Sequence, residues 1–136
     1  MSLEKKQHES LRWLSQGQAD LRAAEASMAA GSYEWACFQS QQAAETVLKS
    51  FWLDSGLDPW GHSLVKLMQD FPDAGIRSKL EQFLDHAKRL DKLYIPTRYP
   101  NGLPDSTPAE VYTREEAEDA MRIARELITG VTALMA

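Results

Sequence analysis

Four prolines at four-residue intervals, Pro96, Pro100, Pro104 and Pro108, restrict the folds open to this chain more than any other feature. Each locks φ, removes a backbone N–H and pushes the residue before it toward extended geometry. The flanking stretches read as amphipathic helix, so the run LDKLYIPTRYPNGLP at 90–104 makes helix impossible there and predicts a loop. A connection of roughly 17 residues is long for a compact domain, and such loops are usually functional or disordered. This one is predicted to be ordered. It carries Tyr94, Tyr99 and Tyr112, three of the four tyrosines, together with Ile95, Leu103 and Arg98. Apolar bodies with polar tips suit a loop pinned onto a helical scaffold.

The scaffold follows from apolar spacing. Helix one is predicted from about Leu3 to Ala30, with Leu14, Leu21, Ala24 and Met28 on one stripe and Gly31 as its stop. Ser32 then caps helix two, about Tyr33 to Ser55, whose stripe is Ala36/Cys37, Ala43/Ala44, Val47/Leu48 and Phe51 before Gly56. A short third helix spans roughly Ser63 to Phe71, and a fourth runs from about Ile76 to Tyr94 through Leu80, Phe83/Leu84, Ala87 and Leu90. Thr113-Arg-Glu-Glu116 is a capping box that opens helix five, which continues through Ala117, Ala120/Met121, Ala124, Leu127/Ile128, Val131 and Leu134/Met135. No segment alternates at period two. The expected fold is all-α, an up-and-down antiparallel bundle of four long helices plus one short helix.

The 136 residues predict a single domain, 1–136, able to bury roughly two thirds of its unfolded surface. One cysteine, Cys37, allows no internal disulfide, and no apolar run approaches membrane-spanning length; a cytoplasmic location is the expectation, with no membrane association. The net charge of −5 argues against broad nucleic-acid binding, yet the charge is unevenly placed. Residues 1–75 carry 6 basic and 10 acidic side chains, residues 76–99 carry 6 and 3, and residues 100–136 carry 3 and 7. The one basic segment runs into the proline loop, where a local positive patch attracts anions; alternatively, it pairs with acids on a neighbouring helix.

Metal and nucleophilic chemistry lack their signatures. A di-metal bundle uses Glu-x-x-His, but the residues three before His8, His62 and His86 are Lys5, Pro59 and Phe83, so no metal site and no cofactor is expected. Cys37 lies on an apolar stripe and reads as a small buried hydrophobe. More informative are Gln41, Gln42, Glu45 and Lys49, polar residues three or four apart within the apolar run of helix two. They form either an exposed face with an ordinary Glu–Lys pair or a polar row facing a groove shared with the proline loop. His62 at the start of helix three, with Asp91, Tyr94, Thr97, Arg98 and Tyr99, completes the candidate set. Arg98 either contacts a ligand or rivets the loop to Asp91 or Glu45 through a bidentate pair.

Taken together, Tyr33-Glu-Trp-Ala-Cys-Phe38, Gln41-Gln-Ala-Ala-Glu45 with Lys49, Gly61-His-Ser-Leu64, Leu90 to Pro100 and Tyr112-Thr113 resemble the HEPN family (higher eukaryotes and prokaryotes nucleotide-binding domain) over about residues 8 to 135. The resemblance implies an all-α bundle, commonly dimeric, often paired with a minimal nucleotidyltransferase in a toxin–antitoxin-like module. It also implies nucleotide binding in some members and metal-independent ribonuclease activity in others. Those ribonucleases use an arginine and a histidine separated by four to six residues. Arg98 matches the arginine, but Leu103, Pro104 and Asp105 occupy the histidine positions and no histidine lies beyond His86. The expectation is therefore a non-catalytic module binding a nucleotide or RNA phosphate through Gln41, Gln42, Glu45, Lys49, His62, Asp91, Tyr94, Thr97, Arg98 and Tyr99. The alternatives are a ribonuclease toxin using Arg98 with His62 as its base, and a purely structural dimerisation partner. A homodimer is expected also because Trp13, Trp35, Trp52 and Trp60 are hard to bury together in one small bundle.

Overall fold

In the computed structural model, which describes residues 2–135, the chain forms seven α-helices among the described residues and no strand. They are α1 (Leu3–Ala29), α2 (Tyr33–Asp54), α3 (Leu64–Gln69), α4 (Ala74–Leu80), α5 (Leu84–Asp91), α6 (Pro108–Val111) and α7 (Arg114–Ala133). None is long and apolar enough to cross a membrane.

α1 and α2 form an antiparallel hairpin. Ser10 pairs with Ser50 near one end and Ser27 with Gln39 near the other. Gly17 lets the two helices close up, since a Cβ there would lie 2.6 Å from Val47 Cγ2. Gly31 and Gly56 end the two helices, each at φ +79°, a left-handed conformation that glycine adopts without a Cβ penalty. α5 runs antiparallel to α7, with His86 against Glu126 and Arg89 against Asp119. Successive long elements therefore alternate in direction, as an up-and-down bundle requires. Of the basic segment's helical cations, Arg89 meets an acid on a neighbouring helix, Asp119, while Arg77 donates to Phe71 O. The main core joins Val47, Leu48 and Phe51 of α2 to Leu64, Leu67, Phe71, Leu90, Ile123 and Leu127. The predicted stripe of α2 is buried in full.

Four local expectations are corrected. The fourth helix is two short helices joined by a 3-10 turn at Glu81–Phe83. It starts at Ala74, because the Asp73 side chain caps Ile76 N, and it ends at Asp91. The tightened turn sets the Phe83 ring against Gly130, where any Cβ would overlap it. Second, the proline run is not free of helix. Pro100 opens a 3-10 turn and Pro108 opens α6, because a proline at the first helical position loses no intrahelical bond. Third, Ser32 occupies the N-cap of α2 without a side-chain cap bond. Fourth, Phe83 and Leu84 are only half-buried, since the 3-10 turn rotates them off the stripe.

Candidate functional site

The polar row of α2 is neither exposed nor idle. Gln41 is fully buried and Glu45 is 5% exposed. Inside a helical wall a carboxylate needs partners, and Glu45 has three. Its Oε1 accepts from Gln41 Nε2 at 3.2 Å, and its Oε2 accepts from Lys49 Nζ at 3.2 Å and faces His62 Nδ1 at 3.3 Å. Gln42 Nε2 donates to Gln41 Oε1 at 2.7 Å. Lys49 lies 5.9 Å from the Trp13 ring and is itself largely covered. The Glu45–Lys49 pair is thus charge-neutral and locks the polar row in place.

An aromatic row runs alongside. His62 stacks on Tyr94 with centroids 5.0 Å apart and an interplanar angle of 17°. Tyr94 stacks on Phe38 at 6.2 Å, and Phe38 meets Trp35 edge-on at 6.1 Å. The guanidinium of Arg98 lies over Trp35, Cζ 4.1 Å from the centroid, and 4.9 Å from Phe38. Arg98 pairs with neither Asp91 nor Glu45, and among the described residues it makes no ion pair. The rivet is a cation–π stack, which leaves the N–H fork facing outward. With Glu45 and Lys49 cancelling, Arg98 supplies a net positive charge at the exposed end of the row.

The remaining candidates hold the loop. Thr97 is 1% exposed and its Oγ1 donates to Leu93 O at 2.6 Å, continuing the turn after α5 where Pro96 has no N–H. Asp91 reaches across to α3: its carboxylate accepts from Ser63 Oγ at 2.9 Å, Leu64 N at 2.8 Å and Val65 N at 3.1 Å. It caps a helix that is not its own and so fixes the loop carrying His62. Tyr99 is 54% exposed and lines a shallow hollow with Pro100, Leu103 and Thr107, outside the aromatic row. The structure therefore brings together Gln41, Gln42, Glu45, Lys49, His62, Tyr94 and Arg98, and it spends Asp91 and Thr97 on the scaffold. Cys37 lies apart, packed with Ala36, Ala117 and Ala120; burial pushes its thiol up to about 12, helped by Glu116, Glu34 and Asp119.

The HEPN domain pattern matches residues 10–134. The chain belongs to the HEPN domain family. Three solved structures share the fold. The crystal structure of TT1696 from Thermus thermophilus is 42% identical, with 91% of this chain and 96% of that chain covered and a TM-score of 0.84. ST0689, described as an archaeal HEPN homologue, is 31% identical over 93% and 98% of the two chains, with a TM-score of 0.76. A HEPN domain protein from Thermotoga maritima is 31% identical over 90% and 96%, with a TM-score of 0.67. No curated protein is significantly similar to the chain.

Two residues of this HEPN site escaped the sequence reading, Trp35 and Phe38. Their signal was present: Trp35, Phe38, Gln42, Glu45 and Lys49 recur at alternating intervals of three and four, one face of a helix. The buried stripe of small residues beside them draws the eye first, and only the packing of Tyr94 and Arg98 onto that face distinguishes the two.

Proposed function

We propose that this HEPN module binds a nucleotide or an RNA phosphate in the groove between α2 and the Tyr94–Tyr99 loop, without cleaving it, and acts with a minimal nucleotidyltransferase partner in a toxin–antitoxin-like module. The observation that carries the binding reading is Arg98. Its guanidinium rests on Trp35 and Phe38 with no carboxylate partner among the described residues. A pre-ordered planar fork beside aromatic faces suits a phosphate attached to a stacking base. Two rings, Tyr94 and Phe38, lie between Arg98 and His62, whereas general acid–base catalysis at one phosphate needs both groups within hydrogen-bond reach. That separation supports the non-catalytic reading.

Titration calorimetry with AMP, ATP and short single-stranded RNA tests it. Arg98→Ala removes a charge-assisted hydrogen bond, about 1.5–3 kcal/mol, and weakens binding by roughly one to two decades. Loss of one exposed cation–π stack lowers stability by only about 0.5–1 kcal/mol. Unchanged affinity in a well-folded Arg98→Ala protein removes Arg98 from the site. An absence of heat with every ligand favours a structural dimerisation partner instead.

A ribonuclease reading rests on one contact. With Nδ1–H donating to Glu45, His62 presents Nε2 to solvent, and its side chain is 61% exposed. RNA cleavage under metal chelation, lost in both Arg98→Ala and His62→Ala, would establish that reading over the first.

A further inference from the structure

The turn after α5 has two faces. Tyr94 and Arg98 pack toward α2, whereas Leu93 and Pro96 line a cavity of about 470 Å³ on the α7 side, together with Ile123 and Tyr112. Its wall is held in place, because Thr97 Oγ1 donates to Leu93 O at 2.6 Å and Leu93 N donates to Leu90 O at 2.9 Å. A cleft of this volume suits a small molecule with an apolar body. The polar groups on its rim divide by type. Both carboxylates already have partners: Glu116 Oε1 accepts from Thr113 N and Thr113 Oγ1, each at 3.1 Å, while Asp119 holds Arg89 through one oxygen and Arg122, at 2.6 Å, through the other. The two uncommitted groups are both donors. Among the described residues, the exposed Lys92 side chain makes no ion pair or hydrogen bond, and the half-buried Tyr112 hydroxyl makes no hydrogen bond. Burial, with Cys37 and Glu116 nearby, raises the Tyr112 pKa, so the phenol keeps its proton.

We propose that this cavity binds a small amphipathic monocarboxylate, its apolar body against Leu93, Pro96 and Ile123 and its carboxylate accepting from Lys92 Nζ and Tyr112 Oη. The choice of ligand rests on charge and on donor type. Arg89 and Asp119 cancel, and Glu116 is offset by the N-terminus of α7, so Lys92 is the one uncompensated charge on the rim. One ammonium and one neutral phenol match a single negative charge, and both are donors, so the ligand must supply the acceptors. A dianion such as a phosphate monoester meets Glu116 and Asp119 on the same rim, and it finds there no planar fork of the kind Arg98 presents. The inference is independent of the anion site at Arg98, which lies on the other face of the turn.

Amide NMR titration of the full chain with phenylbutyrate, and with phenylbutanol and phenylbutylamine as its neutral and cationic counterparts, tests it. The expected phenylbutyrate shifts centre on Leu93, Ala120 and Ile123, with a Kd of roughly 1 mM or tighter for a ligand of this size. The alcohol and the amine bind at least tenfold more weakly. Lys92→Gln brings the acid down to the affinity of the alcohol, and Tyr112→Phe weakens the acid about threefold while leaving the alcohol unchanged. Arg98→Ala leaves phenylbutyrate affinity as in wild type, which separates this cavity from the Arg98 site. Circular dichroism of each variant checks folding, and the comparison of acid with alcohol on the wild type needs no variant at all. Shifts that centre on Trp35 and Arg98, or no shifts at tenfold above the expected Kd, overturn the proposal. So does an alcohol that binds as well as the acid, a Lys92→Gln protein that still prefers the acid, or a Tyr112→Phe protein that binds it as wild type does.

Discussion

Asp91 offers the sharpest test of how this loop is held. Its carboxylate accepts three hydrogen bonds at 2.8–3.1 Å from the first residues of α3, two of them backbone N–H groups that a helix start otherwise leaves unpaired. Asp91→Ala deletes all three. Bonds to a charged acceptor contribute about 1.5–3 kcal/mol each, and the half-buried setting lets water recover part of that. Three bonds at the low end give about 4.5 kcal/mol, and with part recovered by water a loss of about 3–4 kcal/mol is expected. For a domain of this size, each kcal/mol moves the melting temperature by roughly 3–5 °C, so a fall of about 10–15 °C is expected. Asp91→Asn keeps one oxygen for Leu64 N but turns an amide toward the other donors, and loses about half as much. Urea unfolding followed by circular dichroism gives the difference directly, with the slope unchanged if only stability is affected. An Asp91→Ala protein within about 1 kcal/mol of wild type refutes the reasoning. A residue serving only a ligand behaves in the opposite way, with affinity lost and melting unchanged.

Two further predictions follow from packing and titration. Gly130→Ala drives a methyl into the Phe83 ring and destabilises by about 1–3 kcal/mol; adding Phe83→Leu recovers part of that, and a double-mutant cycle on melting data fails to show coupling only if the two sites do not touch. The Cys37 thiol, pushed up to about 12, stays unreactive toward a disulfide reagent at pH 8 in the native protein and reacts on unfolding; rapid native labelling contradicts its burial. Because its folded pKa lies above the unfolded value near 9, the neutral thiol's stabilising contribution is fully present below pH 9 and is lost as pH rises toward 12. Alkaline denaturation of Cys37→Ala, compared with wild type, shows a shallower fall over that window.

Much of this architecture is local chemistry and can be read from the chain alone. The apolar spacing of α2 and α7 sets which faces are buried, Thr113 and Glu116 start α7 through side chains three residues apart, and Gly31 and Gly56 close two helices through backbone freedom. The proline interval marks the long connection, though Pro100 and Pro108 each open a short helical turn within it, and the choice of Gln41, Gln42, Glu45 and Lys49 as a row needs only the 3.6-residue repeat. What one-dimensional spacing does not carry is which side chain meets which across elements. Asp91 has a position at the end of α5 and a ligand's chemistry, but the start of α3 reaches it 27 residues away in sequence and consumes it. Arg98 has two carboxylates in view along the chain, yet it settles on Trp35 and Phe38, because Glu45 is already neutralised by Lys49 inside the wall. The break at Glu81–Phe83 is of the same kind, for the space that admits the Phe83 ring is left by a glycine on α7. Periodicity determines what a helix buries, while the competition among partners of fixed position, decided by burial and close packing, determines what each polar group is left free to do.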